Sequence, residues 1–186
     1  MTENILIRDA MNHVGETVTV RGWLTHKRDH KKVRFLNLRD GTGFMQGVMG
    51  KKDVTEEVFA MFDDMTQESS FAMTGLINAD SRAPGGCEMH INDLKIYQIA
   101  EEFPIQPKEH GVDFLFRHRH LWLRSKQQVA ILKVRDSVVW AIREFFRKKK
   151  FVLIDTPILT GSVGETSSTL FSTEYYDLGK AYLAQT

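Results

Sequence analysis

Residues Arg21 to Arg34, read as RGWLTHKRDHKKVR, hold six lysines or arginines against one acid, Asp29. A block of that kind suits a nucleic-acid backbone, because each neutralised phosphate releases counterions. The stretch that follows, Val33–Arg39, alternates at period two, with Leu36 and Leu38 on one face and Phe35, Asn37 and Arg39 on the other. A ring that shares a face with an amide and a cation can stack on a base and bond around it. Gln46 lies between Phe44 and Val48 at the same period. Two plainer readings compete: the basic run as a solvated face, and Phe35 as a core residue on a strand of opposite phase, which would bury Asn37 and Arg39.

Other chemistries lack their residues. His118 and His120 form a pair, but no helix-spaced carboxylate motif or cysteine cluster accompanies them, so no metal site is expected. The chain has no G-x-x-x-x-G-K-[ST] loop, no G-x-S-x-G elbow and no G-x-G-x-x-G fingerprint. Cys87 follows two glycines without an activating partner and reads as inert. Lys148–Lys150 sits at the end of a helical pattern, where cations complement the helix dipole.

The elements that must position the aromatic face follow from periodicity. Thr17–Trp23 alternates as a half-buried strand, Val33–Arg39 is a second, and an Asp40-Gly41 turn leads to a third over Gly43–Met49. The acidic segment Asp53–Met65 spaces Val54, Val58, Met61, Phe62 and Met65 as one amphipathic helix, with Asp53 as its expected cap. Strands are predicted over Phe71–Asn78 and Glu88–Ile99, joined by the turn-rich ADSRAPGG. Three strands, a helix and two strands is the order of an OB-fold, a five-stranded barrel whose open face binds oligonucleotides.

Ala100–Gly111 contains Pro104 and Pro107 and no period, so a semi-rigid linker is expected there. Beyond it Val134, Val138, Ala141, Ile142, Phe145 and Phe146 predict a long amphipathic helix over Lys126–Lys150. Phe151–Ile154 reads as a short buried strand that ends at Asp155-Thr156-Pro157. The predicted domains are 1–99 (barrel), 100–113 (linker) and 114–186 (a second unit).

Length and composition agree with this organisation. The 186 residues carry a formal charge of +1, but the balance is local: Lys51–Glu68 holds six acids against two lysines. One cysteine excludes a cystine-stapled secreted scaffold. The start lacks a signal-peptide apolar run, and no stretch has the ~18 apolar residues of a membrane helix, so a cytoplasmic protein is expected with no membrane partner.

Four runs carry a resemblance to a known family: VTVRGWLTHKRDHKKVRFLNLRDGTGFMQGV, RAPGGCEMHINDL, PIQPKEHGVDFLFRHRHLWLR, and VWAIREFFRKKKFVLIDTPILT with GETSSTLF after it. Together they resemble the class II aminoacyl-tRNA synthetases of the aspartyl, asparaginyl and lysyl subgroup, above all the asparaginyl branch. The resemblance implies an all-β OB-fold barrel that reads the tRNA anticodon, followed by the start of an α+β catalytic domain built on an antiparallel sheet. It implies that Phe35 stacks on an anticodon base, that Arg28 and Gln46 hold the central uridine, and that Glu88 lies near the third anticodon position. Lys27, Lys31 and Lys32 would then meet the tRNA backbone. Where aspartyl relatives place a second aromatic this chain has Val48, which leaves stacking to Phe35 alone.

In the second unit the long helix with Phe151–Pro157 resembles the family's first motif, which builds a homodimer around Pro157. Glu165 matches a glutamate that binds the ammonium group of the substrate amino acid. Gln185 and Thr186 match the start of another amino-acid-binding segment, with threonine in place of serine. The implied activity is asparagine-tRNA ligation, in which ATP and Mg2+ serve formation of an aminoacyl-adenylate. The second and third motifs, which supply the ATP-binding arginines and metal-binding carboxylates, do not occur here. No catalytic or metal-binding residue is therefore assigned, and the chain is expected to bind no cofactor and to be inactive alone, as an interrupted enzyme. The alternatives are a non-catalytic tRNA-binding or regulatory paralogue, an aspartyl-tRNA synthetase, and a generic single-stranded nucleic-acid OB protein. The helix has few sheet strands behind it, so the second unit is expected to be disordered, dimer-dependent or aggregation-prone in isolation.

Overall fold

In the computed structural model, which describes residues 2–106, 108–161 and 170–184, Val18, Val20 and Leu24 are buried along one face of strand β1 (Thr17–His30). The same alternation buries Leu36 and Leu38 in β2 (Val33–Arg39) and Met45 and Met49 in β3 (Phe44–Gly50). Helix α1 (Glu56–Asp64) follows, then β4 (Ser70–Ala79) and β5 (Cys87–Gln98). These five strands form a closed barrel in the order β1-β2-β3-β5-β4, with β3 and β5 parallel and the other pairs antiparallel. It is the OB-fold that the strand order predicted.

Closure requires tight strand crossings and a filled interior. A Cβ at Gly22 would lie 2.1 Å from the Arg39 carbonyl oxygen, so only glycine lets β1 approach β2 there. Phe59 and Phe62 of α1 pack on the core with Met65. Against the core also lies a 3-10 turn, Ile7–His13, which burying Ile7 and Ala10 holds in place. The Asp40 carboxylate anchors this turn by accepting the Ile7 N–H at 2.8 Å while it also accepts from Thr42 and Gly43. Burial alone would push Asp40 up, but those donors together hold its pKa below the ordinary value.

The cap of α1 differs from expectation. The Thr55 hydroxyl, not Asp53, accepts the Val58 N–H, because Asp53 is still in the turn after β3, with its own N–H on the Gly50 carbonyl. β1 also runs seven residues past Trp23, through the basic block, with a bulge between Leu24 and His26.

The chain divides into two compact units, Met1–Arg119 and His120–Thr186. The first takes in the short helix α2 (Val112–Arg117), and α3 (Arg119–Trp122) follows. In the second unit α4 (Lys126–Lys148) is capped by the Ser125 hydroxyl and ends on Arg147 and Lys148. The short strands β6 (Leu159–Thr160), β7 (Ser172–Glu174) and β8 (Lys180–Leu183) form a small antiparallel sheet in the order β6-β8-β7.

Phe151–Ile154 is not the buried strand that its composition suggested. Its side chains are 65–82% exposed, and among the described residues no strand runs beside it. Apolar, β-prone residues make a strand only where another backbone takes up their hydrogen bonds. Val134, Val138, Ile142, Phe145 and Phe146 of α4 are exposed as well.

Candidate nucleic-acid interface

The outer face of the barrel carries two adjacent rows set by strand register. In the first, Arg28 of β1 is paired with Phe35 of β2, Phe35 with Val48 of β3, and Val48 with His90 of β5. In the second, His26, Asn37, Gln46, Glu88 and Asn78 stand opposite one another in turn. Leu36 and Leu38 are buried and Phe35 is not, so the strand phase is the one that leaves Phe35, Asn37 and Arg39 outward.

Side chains link the rows. Arg28 Nη2 donates to Gln46 Oε1 at 3.4 Å, and its guanidinium lies 5.7 Å from the Phe35 ring centre. Gln46 Nε2 donates to Glu88 Oε2 at 3.1 Å, and His90 Nε2 lies 3.2 Å from Glu88 Oε1. Arginine can only donate and a carboxylate can only accept, so the direction of the Gln46 amide is forced, with oxygen toward Arg28 and nitrogen toward Glu88. The same logic puts a proton on His90 Nε2. One donor and one acceptor site of Gln46 remain unspent, pointing with fixed polarity. His30 closes on Phe35 from the hairpin, edge to face at 5.7 Å.

Phe35, Gln46, Val48, Glu88 and His90 line an open hollow of ≈ 480 Å³, with Arg82 and Asp80 on its rim. Arg82 grips Asp80 through two 3.1 Å bonds. Hydrogen bonding to Arg82 lowers the Asp80 pKa, and bonding to Asp80 raises that of Arg82. Sequence reasoning missed His30, His90 and Arg82. Their signals were the period-two spacing of Glu88 and His90 and the arginine inside ADSRAPGG.

Among the expected backbone contacts, Lys31 and Lys32 form the exposed tip of the β1–β2 hairpin, Lys31 at φ +62 with its N–H on the Asp29 carboxylate. Lys27, expected at the tRNA backbone, pairs in register with Leu36, and its ammonium donates to the carbonyls of Phe62 (2.6 Å) and Asp63 (3.2 Å) at the end of α1. Burial lowers its pKa. Arg34, on that same side, is bonded to Asp63, Asp29 and the Phe59 carbonyl. Arg39 pairs with Glu68 and lies 5.5 Å from the Trp23 ring centre.

In the second unit Pro157 is exposed at the end of the extended segment. A groove there is lined by Trp140, Phe146, Arg147 and Phe151–Ile154, where Phe146 and Phe151 meet edge to face at 5.5 Å. Glu165, Gln185 and Thr186, expected to hold the amino acid, lie outside the described residues, as does Pro107. Among the described residues no group of three or more His, Cys, Asp or Glu could hold a metal ion, and no helix is long and apolar enough to cross a membrane.

Residues 18–97 match the family profile of the OB-fold nucleic acid binding domain of the tRNA anticodon type, and residues 111–186 match that of the class II tRNA synthetases (D, K and N). Over 180 residues the chain is 50% identical to an asparagine–tRNA ligase of Roseiflexus castenholzii, which covers 97% of this chain and 41% of the relative. A Chloroflexus aurantiacus asparagine–tRNA ligase is 51% identical over 174 residues, covering 94% of this chain and 40% of its own length. The crystal structure of asparaginyl-tRNA synthetase from Pyrococcus horikoshii with asparaginyl-adenylate superposes with a TM-score of 0.88 at 35% identity, over 100% of this chain and 43% of that one. The chain thus spans about two fifths of the length of the relatives that it matches. A closed OB barrel with an outward aromatic and amide cluster, joined to a segment of the D, K and N profile, makes this chain a member of the class II aminoacyl-tRNA synthetases.

Proposed function

We infer that the complete protein is an ATP-dependent asparagine-tRNA ligase and that this chain supplies its anticodon recognition. The observation that carries the reading is the locked amide of Gln46, held between Arg28 and Glu88 beside the outward ring of Phe35. A base stacked on Phe35 meets a donor and an acceptor of fixed order, which suits a uracil edge. Lys31 and Lys32 at the hairpin tip are available to backbone phosphates. Glu165, Gln185 and Thr186 are the proposed contacts to asparagine, and the apolar face around α4, Phe151–Ile154 and Pro157 is the proposed homodimer surface, in a cytoplasmic enzyme. ATP would be the activating substrate. Among the described residues no cluster of His, Cys, Asp or Glu could hold Mg2+.

Binding of the chain to anticodon hairpins tests the reading. The hairpin with the asparagine anticodon is expected to bind more tightly than those with the aspartate and lysine anticodons, and equal affinity for all three would refute anticodon readout. For the complete protein, asparagine-dependent exchange of pyrophosphate into ATP is expected; exchange driven by aspartate instead would reassign the substrate.

A further inference from the structure

Asn37 stands beside the stacking ring with its hydrogen-bonding groups unspent. It is half-buried on the outer face of β2, two residues from Phe35, and faces Gln46 across the ladder. Among the described residues its backbone carbonyl accepts from the Thr25 hydroxyl at 3.0 Å, but no hydrogen bond reaches its carboxamide. Gln46 differs, because Arg28 and Glu88 already occupy one acceptor and one donor site of its amide.

Sheet geometry puts both amides within reach of one base. Residues i and i+2 on a strand are ~6.8 Å apart, so Asn37 is about that far from Phe35. Gln46, diagonal to Phe35, is roughly 7–8 Å away and has one more methylene with which to span the difference. A carboxamide in water satisfies itself at no cost. Covered by a bound nucleotide it loses that water, and leaving it unpaired would then oppose binding. The ring, the locked amide and the free amide together form three sides of a base-sized site.

We propose that Asn37 is a base-reading residue, its carboxamide bonding to the edge of the nucleotide whose base rests on Phe35, alongside Gln46. The proposal rests on the barrel face being the anticodon interface. A uracil edge offers O4 and O2 as acceptors on either side of one N3–H donor, so Gln46 can take N3–H together with one oxygen while the Asn37 amide nitrogen donates to the other. Asn37 has the free donor for that bond, whereas Val33, the other outward neighbour of Phe35 on β2, has none.

The test measures binding of the full chain to the asparagine anticodon hairpin by fluorescence anisotropy. Wild type, Asn37→Ala, Asn37→Asp and Phe35→Ala are compared on the intact hairpin and on three hairpins abasic at one anticodon position each. Asn37→Ala is expected to weaken binding of the intact hairpin about tenfold, the scale of one buried hydrogen bond to a base edge. That loss should vanish for one abasic position, the same one at which the Phe35→Ala loss vanishes. Asn37→Asp keeps the shape but removes the donors, and is expected to weaken binding at least as much; it serves as the folded comparison should the alanine variant melt early. Unchanged binding by both Asn37 variants, with Phe35→Ala weakened, would overturn the role of Asn37 alone. An equal loss on all four hairpins would overturn it too, because the residue would then act through the fold. If Phe35→Ala binds as wild type does, the anticodon reading itself fails.

Discussion

Phe35 and Leu36 are neighbours in sequence and belong to opposite faces of one strand, so truncating each should damage a different property. Leu36 is fully buried in the barrel core. Leu36→Ala removes that packing and leaves a cavity, for about 2–5 kcal/mol of stability. A unit the size of Met1–Arg119 unfolds with an entropy of roughly 0.25 kcal/mol/K, so a loss near the middle of that range lowers Tm by about 12–14 °C. Phe35 lies half-buried on the outer face, beside Arg28 and His30 at the open hollow. Phe35→Ala should therefore cost under about 1 kcal/mol of stability, a shift of a few degrees at most. On RNA the order reverses: losing a stacked base costs about 1–3 kcal/mol, or roughly 5- to 150-fold in Kd. Thermal melts by circular dichroism and hairpin binding below the Tm of both variants measure the two effects independently. If Phe35→Ala melts early while binding stays intact, the outward assignment of the ring is refuted, and with it the interface.

Removing the charge of Lys31 or Lys32 should weaken every hairpin alike and reduce the slope of log Kd against log salt by about 0.7 for each phosphate no longer neutralised, and an unchanged slope would make them merely solvated. Asp40→Asn should destabilise the barrel at neutral pH. A carboxyl with a folded pKa below its ordinary value of 3.8 stabilises the fold above that value, and the contribution fades as pH falls through the folded pKa. Urea melts should accordingly show wild type and variant converging below about pH 4; a constant gap would contradict this account of Asp40. The chain should also self-associate through α4. Val138→Glu with Ile142→Glu should reduce the sedimenting mass and leave the barrel transition unchanged, whereas a wild-type monomer would refute the role of that apolar face.

The barrel was legible because each strand has one buried face and each turn its own punctuation, as at Asp40-Gly41. The length of β1 was not legible, because past Trp23 its residues are basic and lack the apolar alternation that announces a strand. The bulge at Thr25 also resets the phase, so that Arg28 and not Lys27 aligns with Phe35. Counting charges along the chain could not reveal that switch. Thr55 and Asp53 are both good caps, and only the position of the turn after β3 chooses between them. Phe151–Ile154 misled for a different reason. Its composition reports that something must cover it, and whether the cover is a neighbouring strand or another surface is not encoded in four residues. Outward residues were read correctly at Phe35 from phase, while Arg28, Gln46 and Glu88 acquired roles only through family resemblance. His90 was signalled only by its period-two spacing from Glu88, and His30 carried no signal until the hairpin placed it against the ring.

The basic block is also smaller, as an RNA-binding surface, than its composition implies. Of its six cations, Arg34 is bonded to Asp63 and Asp29, and Lys27 is spent on the last carbonyls of α1. Both lie on the side of β1 and β2 that the acidic helix covers. The acids of Lys51–Glu68 are therefore not a distant counterweight to the basic run: one cancels half of its buried side, and Glu68 likewise neutralises Arg39. What stays outward is Arg21, Arg28, Lys31 and Lys32, with Arg28 already turned toward Gln46. A surface with so few free cations cannot bind RNA tightly through phosphates alone. On the proposed anticodon reading, affinity would then come largely from stacking and edge contacts at Phe35, Asn37 and Gln46, the kind of contact that tells one base from another.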